Sequence, residues 1–381
     1  MLRKLFSVLI CFIILLGTDI ESNAAQMGVS AQSAVLICVN SGEILFSKNE
    51  NKKLSMASTT KIMTSLIALE QATPEREITV TSEMVSVEGT SMGLKEGDSV
   101  SLNELVYGMM LQSGNDAANT VAYVIGGTPE NFAKIMNERA KQIGMLNTNF
   151  VTASGLDDEM HYSTAYDMAL LAAESIENPE FRYICSQKSA KLTYGNPPYA
   201  RTLTNHNRLL WRYSSSIGIK TGFTKKSGRC LVSAAEKNGI TLVAVTLNAS
   251  DDWNDHVFMF EFGFSKCMPV QLEPDLSELS LKVFGGERSS VPLKLARSFI
   301  GINGKTYSCR LVVKQYAYAP VNIGEIAGVA VFTLNGKTVD EIPVVTNGVS
   351  EQREYYHDKT TVPQKENKIS ELYNKIKSYF N

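Results

Sequence analysis

The sequence predicts an α+β fold: a large domain whose antiparallel sheet is interrupted by a helical insertion, then a smaller C-terminal β domain. Three observations carry this. Apolar β-prone runs stand near both ends of the first 268 residues, helical spacing dominates between them, and from Val270 to about Val362 no strong helical period appears. With 381 residues, 44% of them hydrophobic, the chain can bury a large core.

The elements follow in order. Arg3 and Lys4 precede an apolar run over 5–17, and small residues at Ser22 and Ala24 suit cleavage after Ala24. This is an export-signal pattern over 1–24, and the run is shorter than the roughly 20 residues a membrane span needs. Runs at 33–39 and 44–47 flank Asn40-Ser41-Gly42-Glu43 and read as a hairpin. A helix follows over about 58–70, with Ile62, Leu66 and Leu69 at helical spacing. The polar, Gly-punctuated stretch 81–98 reads as loop and turn. Ser101-Leu102-Asn103-Glu104 is a capping box opening a helix to about Gln112. A second helix runs from near Asn115 to Gly126-Gly127, a third from Thr128-Pro129 to Gly144, and a fourth spans 164–174. Strands at 229–235 and 240–248 are joined by Lys237-Asn238-Gly239, an Asn-Gly hairpin signal. A closing helix is expected over 253–262. This places one domain over 25–268, and short β-prone segments such as 311–313 and 329–334 place a β domain over 269–362. In the tail, 363–381, Ile369, Leu372, Tyr373, Ile376, Tyr379 and Phe380 recur at helical spacing, with Lys368, Lys375 and Lys377 largely off that stripe. That is the pattern of an amphipathic helix lying on a membrane surface; a terminal helix packed on its own domain, or one that frays, is the competing reading.

A formal net charge of -2 offers no attraction for nucleic acid. The cysteines are widely spaced and His161, His206, His256 and His357 are scattered. No zinc spacing and no His-Glu-x-x-His helix occurs, so no metal and no cofactor is expected.

Three short motifs carry chemistry. In Ser58-Thr59-Thr60-Lys61, residues 58 and 61 share a helix face at i and i+3. The Lys61 amine, if neutral, can take the Ser58 proton; burial and a second cation, Lys220, would depress its pKa. A helix N-terminus also supplies free N–H groups for an oxyanion. In Ser113-Gly114-Asn115, Ser113 would relay a proton to a leaving nitrogen, while Asn115 would contact a substrate backbone and hold Lys61 in place. In Lys220-Thr221-Gly222, an edge strand would line the cleft. Gly222 would let a substrate backbone approach, Lys220 and Thr221 would bind a carboxylate, and Phe223 N–H would complete an oxyanion hole with Ser58 N–H. Each motif alone is weak, but their order and conjunction are specific to acyl transfer through a serine ester.

With these motifs the chain resembles the low-molecular-mass penicillin-binding proteins, D-alanyl-D-alanine carboxypeptidases of the peptidase S11 family. Around the motifs, Leu111-Gln112-Ser113-Gly114-Asn115-Asp116-Ala117, His161-Tyr162-Ser163-Thr164-Ala165-Tyr166-Asp167-Met168, Asn205-His206-Asn207-Arg208-Leu209-Leu210 and Gly218-Ile219-Lys220-Thr221-Gly222-Phe223-Thr224 are similar to the family pattern. The resemblance covers about residues 30–265. It implies a serine β-lactamase/DD-peptidase-like domain and a substrate among peptidoglycan stem peptides ending in D-Ala-D-Ala. Ser58 would attack, Lys61 would be the base, Ser113 the proton shuttle and Asn115 the substrate orienter. Lys220 and Thr221 would engage the terminal carboxylate, and penicillins would acylate Ser58 by mimicry. It also implies an enzyme held on the outer face of the cytoplasmic membrane by the C-terminal helix. Position 206 varies within the family's Asn-x-Asn pattern, and His206 reads either as a basic group near the substrate carboxylate or as an exposed loop histidine; His161 reads as structural, and Arg229, on a strand near the cleft, is assigned no role.

Two other classes compete. A class A β-lactamase needs a glutamate-activated water, and no Glu-x-x-Leu-Asn stretch lies between the second and third motifs. A non-catalytic wall-binding protein of the same fold would not need all three motifs complete.

Overall fold

The central sheet has five strands in the order β2-β1-β9-β8-β7, built from β1 (Ser33–Cys38), β2 (Glu43–Lys48), β7 (Ser216–Thr224), β8 (Gly228–Lys237) and β9 (Ile240–Ala249). This computed structural model describes residues 28–71 and 73–354; the expected export signal and amphipathic tail lie outside them. All six residues of β1 are buried because both faces of the sheet are covered. Val35 and Ile37 point into a core shared with the helical block. Ala34, Leu36 and Cys38 alternate into a second core with the closing helix. The same period of two divides Val232 and Val243 from Leu231 and Leu242. Asn238 and Gly239, at φ 53° and 78°, form the β8–β9 turn, both in the left-handed region that an Asn-Gly hairpin requires.

The insertion between β2 and β7 carries α1 (Lys61–Leu69), the single turn α2 (Ser82–Val85), α3 (Leu102–Gln112), α4 (Asn115–Gly126), α5 (Pro129–Ile143), α6 (Ala165–Glu177), α7 (Pro179–Ser186) and α8 (Leu209–Arg212). Its boundaries follow local chemistry. Ser101 accepts a bond from Glu104 N–H and Glu104 reaches back, completing the capping box. Thr128 caps α5, which begins at Pro129 and ends at Gly144 with φ 91°.

Several elements depart from the sequence reading. The stretch read as pure loop contains α2, and the pair β3 (Glu77–Thr79) and β4 (Ser99–Ser101) flanks it. A hairpin of β5 (Ser189–Gly195) and β6 (Pro198–Thr204) was not expected, because its mostly exposed residues give little apolar alternation. The closing helix, α9 (Asp252–Lys266), is longer than the apolar stripe that announced it. His256 on α9 is fully buried, yet each ring nitrogen meets a hydroxyl, Ser233 at Nδ1 and Thr246 at Nε2.

The chain divides into two compact units. The first runs to Leu272 and also takes in Ile300–Tyr307; the second comprises Glu273–Phe299 and the chain from Ser308 onward. In the second, a six-stranded sheet is ordered Tyr307–Val313, Ile326–Leu334, Lys337–Thr346, Ser290–Leu295, Ser280–Phe284, Tyr316–Tyr318. No helix occurs beyond Lys266 among the described residues.

Candidate active site

Ser58 lies in a 3-10 turn, Ala57–Thr60, that runs directly into α1, whose first residue is Lys61. Ala57 sits at φ 48°, a left-handed conformation that costs a residue with a Cβ. A buried relay holds it there. Val151 N–H donates to His161 Nδ1 at 2.9 Å, so Nδ1 is the acceptor and the ring proton sits on Nε2. Nε2–H then donates to Thr60 Oγ1 at 2.8 Å, and the Thr60 hydroxyl donates to the Ala57 carbonyl at 2.8 Å. Burial pushes His161 down to about 4, which keeps the ring neutral. Two glycines press on the same turn. At Gly155 a Cβ would overlap the Ala57 carbonyl. At Gly222 it would stand 3.0 Å from Met56 O and 3.1 Å from Ser58 N. The neighbour that Gly222 accommodates is therefore the turn carrying Ser58.

Lys61 is fully buried and its Nζ has three partners: Ser58 Oγ at 2.9 Å, Asn115 Oδ1 at 2.7 Å and the Ser154 carbonyl at 2.7 Å. Two of these can only accept. A neutral amine gives its two N–H groups to them and turns its lone pair to Ser58, the one partner able to donate. Burial drives the Lys61 pKa well below its ordinary value; Lys220 pushes the same way and Asp116 opposes.

Ser113 ends α3 in the left-handed region, at φ 60°. This turns the chain so that Asn115 opens α4 towards Lys61. Asn115 Nδ2 donates to the Glu88 carbonyl at 2.6 Å, tying Lys61 to the loop before α3. Asp116 fixes that loop: its carboxylate accepts from Met92, Gly93 and Leu94 N–H and from Ser91 Oγ at 2.6–3.0 Å. The β5–β6 hairpin braces it from the other side, with Tyr194 OH on the Met92 carbonyl and Arg201 Nη1 on the Gly93 carbonyl, both at 2.9 Å.

Strand β7 is a sheet edge. Lys220 points inward, is 1% exposed, and its Nζ donates to the Thr221 carbonyl at 2.9 Å. Burial lowers its pKa to about 7. A cavity of about 590 Å³ opens along this edge. Ser58, Ser113, Asn115, Thr221, Gly222 and Phe223 all line it, together with Ser154, Gly155 and His206. Lys61 and Lys220 lie beneath the lining. Three distant segments thus converge on one hollow. No three of His, Cys, Asp or Glu form a metal cluster among the described residues.

Sequence reasoning did not find Ser154, whose contribution is a backbone carbonyl and leaves no side-chain signal. It did not find Asp116 as a loop anchor, although that residue adjoins the second motif. His161, read as structural, acts on the nucleophile turn through Thr60. Arg229, left aside in the sequence, lines the cavity with Asp252 and Trp253.

A family model described as D-alanyl-D-alanine carboxypeptidase, peptidase S11, matches residues 20–251. The chain is 31% identical over 371 residues to D-alanyl-D-alanine carboxypeptidase DacF of Bacillus subtilis, covering 90% of this chain and 93% of that protein. The crystal structure of D-alanyl-D-alanine carboxypeptidase DacD from Francisella tularensis is 27% identical with a TM-score of 0.61, covering 89% of this chain and 98% of that one. The Streptomyces K15 DD-transpeptidase is 28% identical with a TM-score of 0.59, covering 62% of this chain and 98% of its own.

Proposed function

The chain belongs to the peptidase S11 family of D-alanyl-D-alanine carboxypeptidases, and we propose how its own residues carry that reaction. It is a serine-type D-Ala-D-Ala carboxypeptidase acting on peptidoglycan stem peptides. Ser58 Oγ attacks the carbonyl of the penultimate D-Ala and its proton passes to the Lys61 amine. The oxyanion rests between the N–H groups of Ser58 and Phe223. The C–N bond then breaks as Ser113 gives its hydroxyl proton to the departing D-Ala nitrogen and takes the proton held by Lys61 in exchange, which restores the neutral amine. Water releases the shortened peptide from the acyl-serine. Asn115 holds Lys61 and faces the substrate backbone, while Lys220 and Thr221 take the terminal carboxylate. Gly222 keeps the edge strand against the nucleophile turn, so the peptide can lie along β7. Penicillins present a carboxylate and a strained amide in the same arrangement and acylate Ser58.

One observation carries this reading: the Lys61 amine stands 2.9 Å from Ser58 Oγ while its two other partners are obligate acceptors. The test is mass analysis of a D-Ala-D-Ala stem peptide incubated with the protein, beside penicillin labelling of the native enzyme and of Ser58→Ala. Loss of one alanine and an adduct on the native chain alone are expected. A cross-linked product would indicate transfer instead of hydrolysis. An adduct surviving in Ser58→Ala would remove Ser58 from its role.

Such a substrate lies outside the cytoplasmic membrane. The sequence-based boundary at 268 gives way to the observed units: we accordingly assign 1–24 to export, the chain from 25 to Leu272 with Ile300–Tyr307 to catalysis, Glu273–Phe299 and 308–362 to an accessory β domain, and 363–381 to peripheral membrane attachment. No helix among the described residues is long and apolar enough to cross a membrane. Detachment of the full chain from vesicles when 363–381 is deleted would support the last assignment, and retention would oppose it.

A further inference from the structure

We propose that the end of the cavity formed by Phe223, Arg229 and Trp253 is a subsite for a free carboxylate on the stem peptide, placed upstream of the scissile bond. This rests on the carboxypeptidase reading above and adds a substrate preference to it. Arg229, Asp252 and Trp253 line the same cavity as Ser58. Phe223 and Arg229 are register partners across β7 and β8, so their side chains stand on one face of the sheet.

Distance along the strand sets which part of the substrate arrives there. A strand advances about 3.3 Å per residue, so Thr221 and Phe223, the register partner of Arg229, are separated by about 7 Å. A peptide with its terminal carboxylate at Lys220 and Thr221, extended along the β7 edge, therefore brings its second residue upstream of the scissile bond, the one before the penultimate D-Ala, to the Arg229 end.

The guanidinium is held for use. Asp252 Oδ1 accepts from Arg229 Nε at 2.9 Å and also from Nη2, and the Trp253 ring centroid lies 5.6 Å from the guanidinium carbon. The Asp252 side chain is 4% exposed and that of Arg229 is 42% exposed. A purely structural clamp accounts for the Nε and Nη2 edge. It does not account for a guanidinium left open to the substrate cavity, with no described protein atom bonded to Nη1. That remaining edge suits a planar anion. Phe223, itself exposed, supplies an apolar wall for the carbons bearing the anion. A carboxamide in the same place would keep one acceptor and lose the charge, which weakens binding by about tenfold.

The experiment uses two stem pentapeptides ending in D-Ala-D-Ala, identical except that the upstream carboxylate is free in one and amidated in the other. D-Ala release gives kcat/KM, normalised to active sites titrated with penicillin so that only folded enzyme is counted. The native enzyme should prefer the free carboxylate by about tenfold. Arg229→Gln should bring the ratio close to one, and Arg229→Lys, which keeps charge without the planar fork, should fall between. A native enzyme with no preference, or a preference that survives Arg229→Gln, overturns the subsite alone. Release of D-Ala from neither peptide overturns the carboxypeptidase reading and the subsite together.

Discussion

Replacing Thr60 by valine should disarm the nucleophile without touching Ser58 or Lys61. The two side chains are nearly isosteric, so the change deletes one buried hydroxyl and little else. That hydroxyl links His161 Nε2 to the Ala57 carbonyl, each at 2.8 Å, and all three residues are 0–2% exposed. Its loss strands one donor and one acceptor away from water. Each stranded group costs about 1–3 kcal/mol, so the pair costs about 3 kcal/mol or more. In a unit of this size that lowers Tm by roughly 6–12 °C. Ala57, no longer held at φ 48°, relaxes and carries Ser58 with it. A displacement of about 1 Å at a reacting group costs on the order of a hundredfold in rate. Differential scanning calorimetry and the rate of penicillin acylation measure the two effects. Thr60→Ser retains the hydroxyl and should keep most of both. Native melting and native acylation in Thr60→Val would refute the claim that this relay shapes the nucleophile turn.

Three further outcomes are expected. The profile of kcat/KM against pH should be bell-shaped: Lys61 must be neutral to accept a proton, and Lys220, lowered to about 7, must be charged to hold a carboxylate, so activity falls as pH rises through that value. A substrate whose C-terminal carboxylate is amidated should lose the alkaline limb. Stability should fall in acid, because burial lowers His161 to about 4 and His256 to about 3 while the unfolded chain takes up protons near 6.5. Their contribution is complete above about pH 6.5 and fades as pH drops towards 4, worth about 3 kcal/mol for His161, and urea titrations across that window read it directly. Gly222→Ala should slow acylation and lower Tm by a few degrees, since its Cβ would meet Met56 O at 3.0 Å and Ser58 N at 3.1 Å; equal rates in the two proteins would show that the turn can yield.

What the sequence disclosed depended on how local the physics was. Capping at Ser101 and Thr128 and the Asn238-Gly239 turn involve neighbouring residues, and those elements stand where expected. The three motifs were legible as groups required by one reaction. Their convergence depends on the insertion folding against the sheet, which no short pattern encodes. The β5–β6 hairpin was not legible because tertiary bonds such as Tyr194 to Met92 hold it, not an apolar stripe. Ser154 escaped notice because a carbonyl has no residue identity. The role given to Gly222 changed for a similar reason: close approach was evident from the glycine, but the identity of the approaching partner was not.

The return of Ile300–Tyr307 to the first unit has a practical outcome for anyone trimming the gene. The polypeptide crosses from one unit to the other after Leu272, Phe299 and Tyr307. A fragment stopped at residue 268 would lack Ile302, which is 2% exposed among the aliphatic side chains beneath the closing helix, and would forfeit the pairing of Pro269–Leu272 with Phe299–Ile302. Expression of the hydrolase alone therefore calls for a grafted loop in place of Glu273–Phe299, not a simple stop codon.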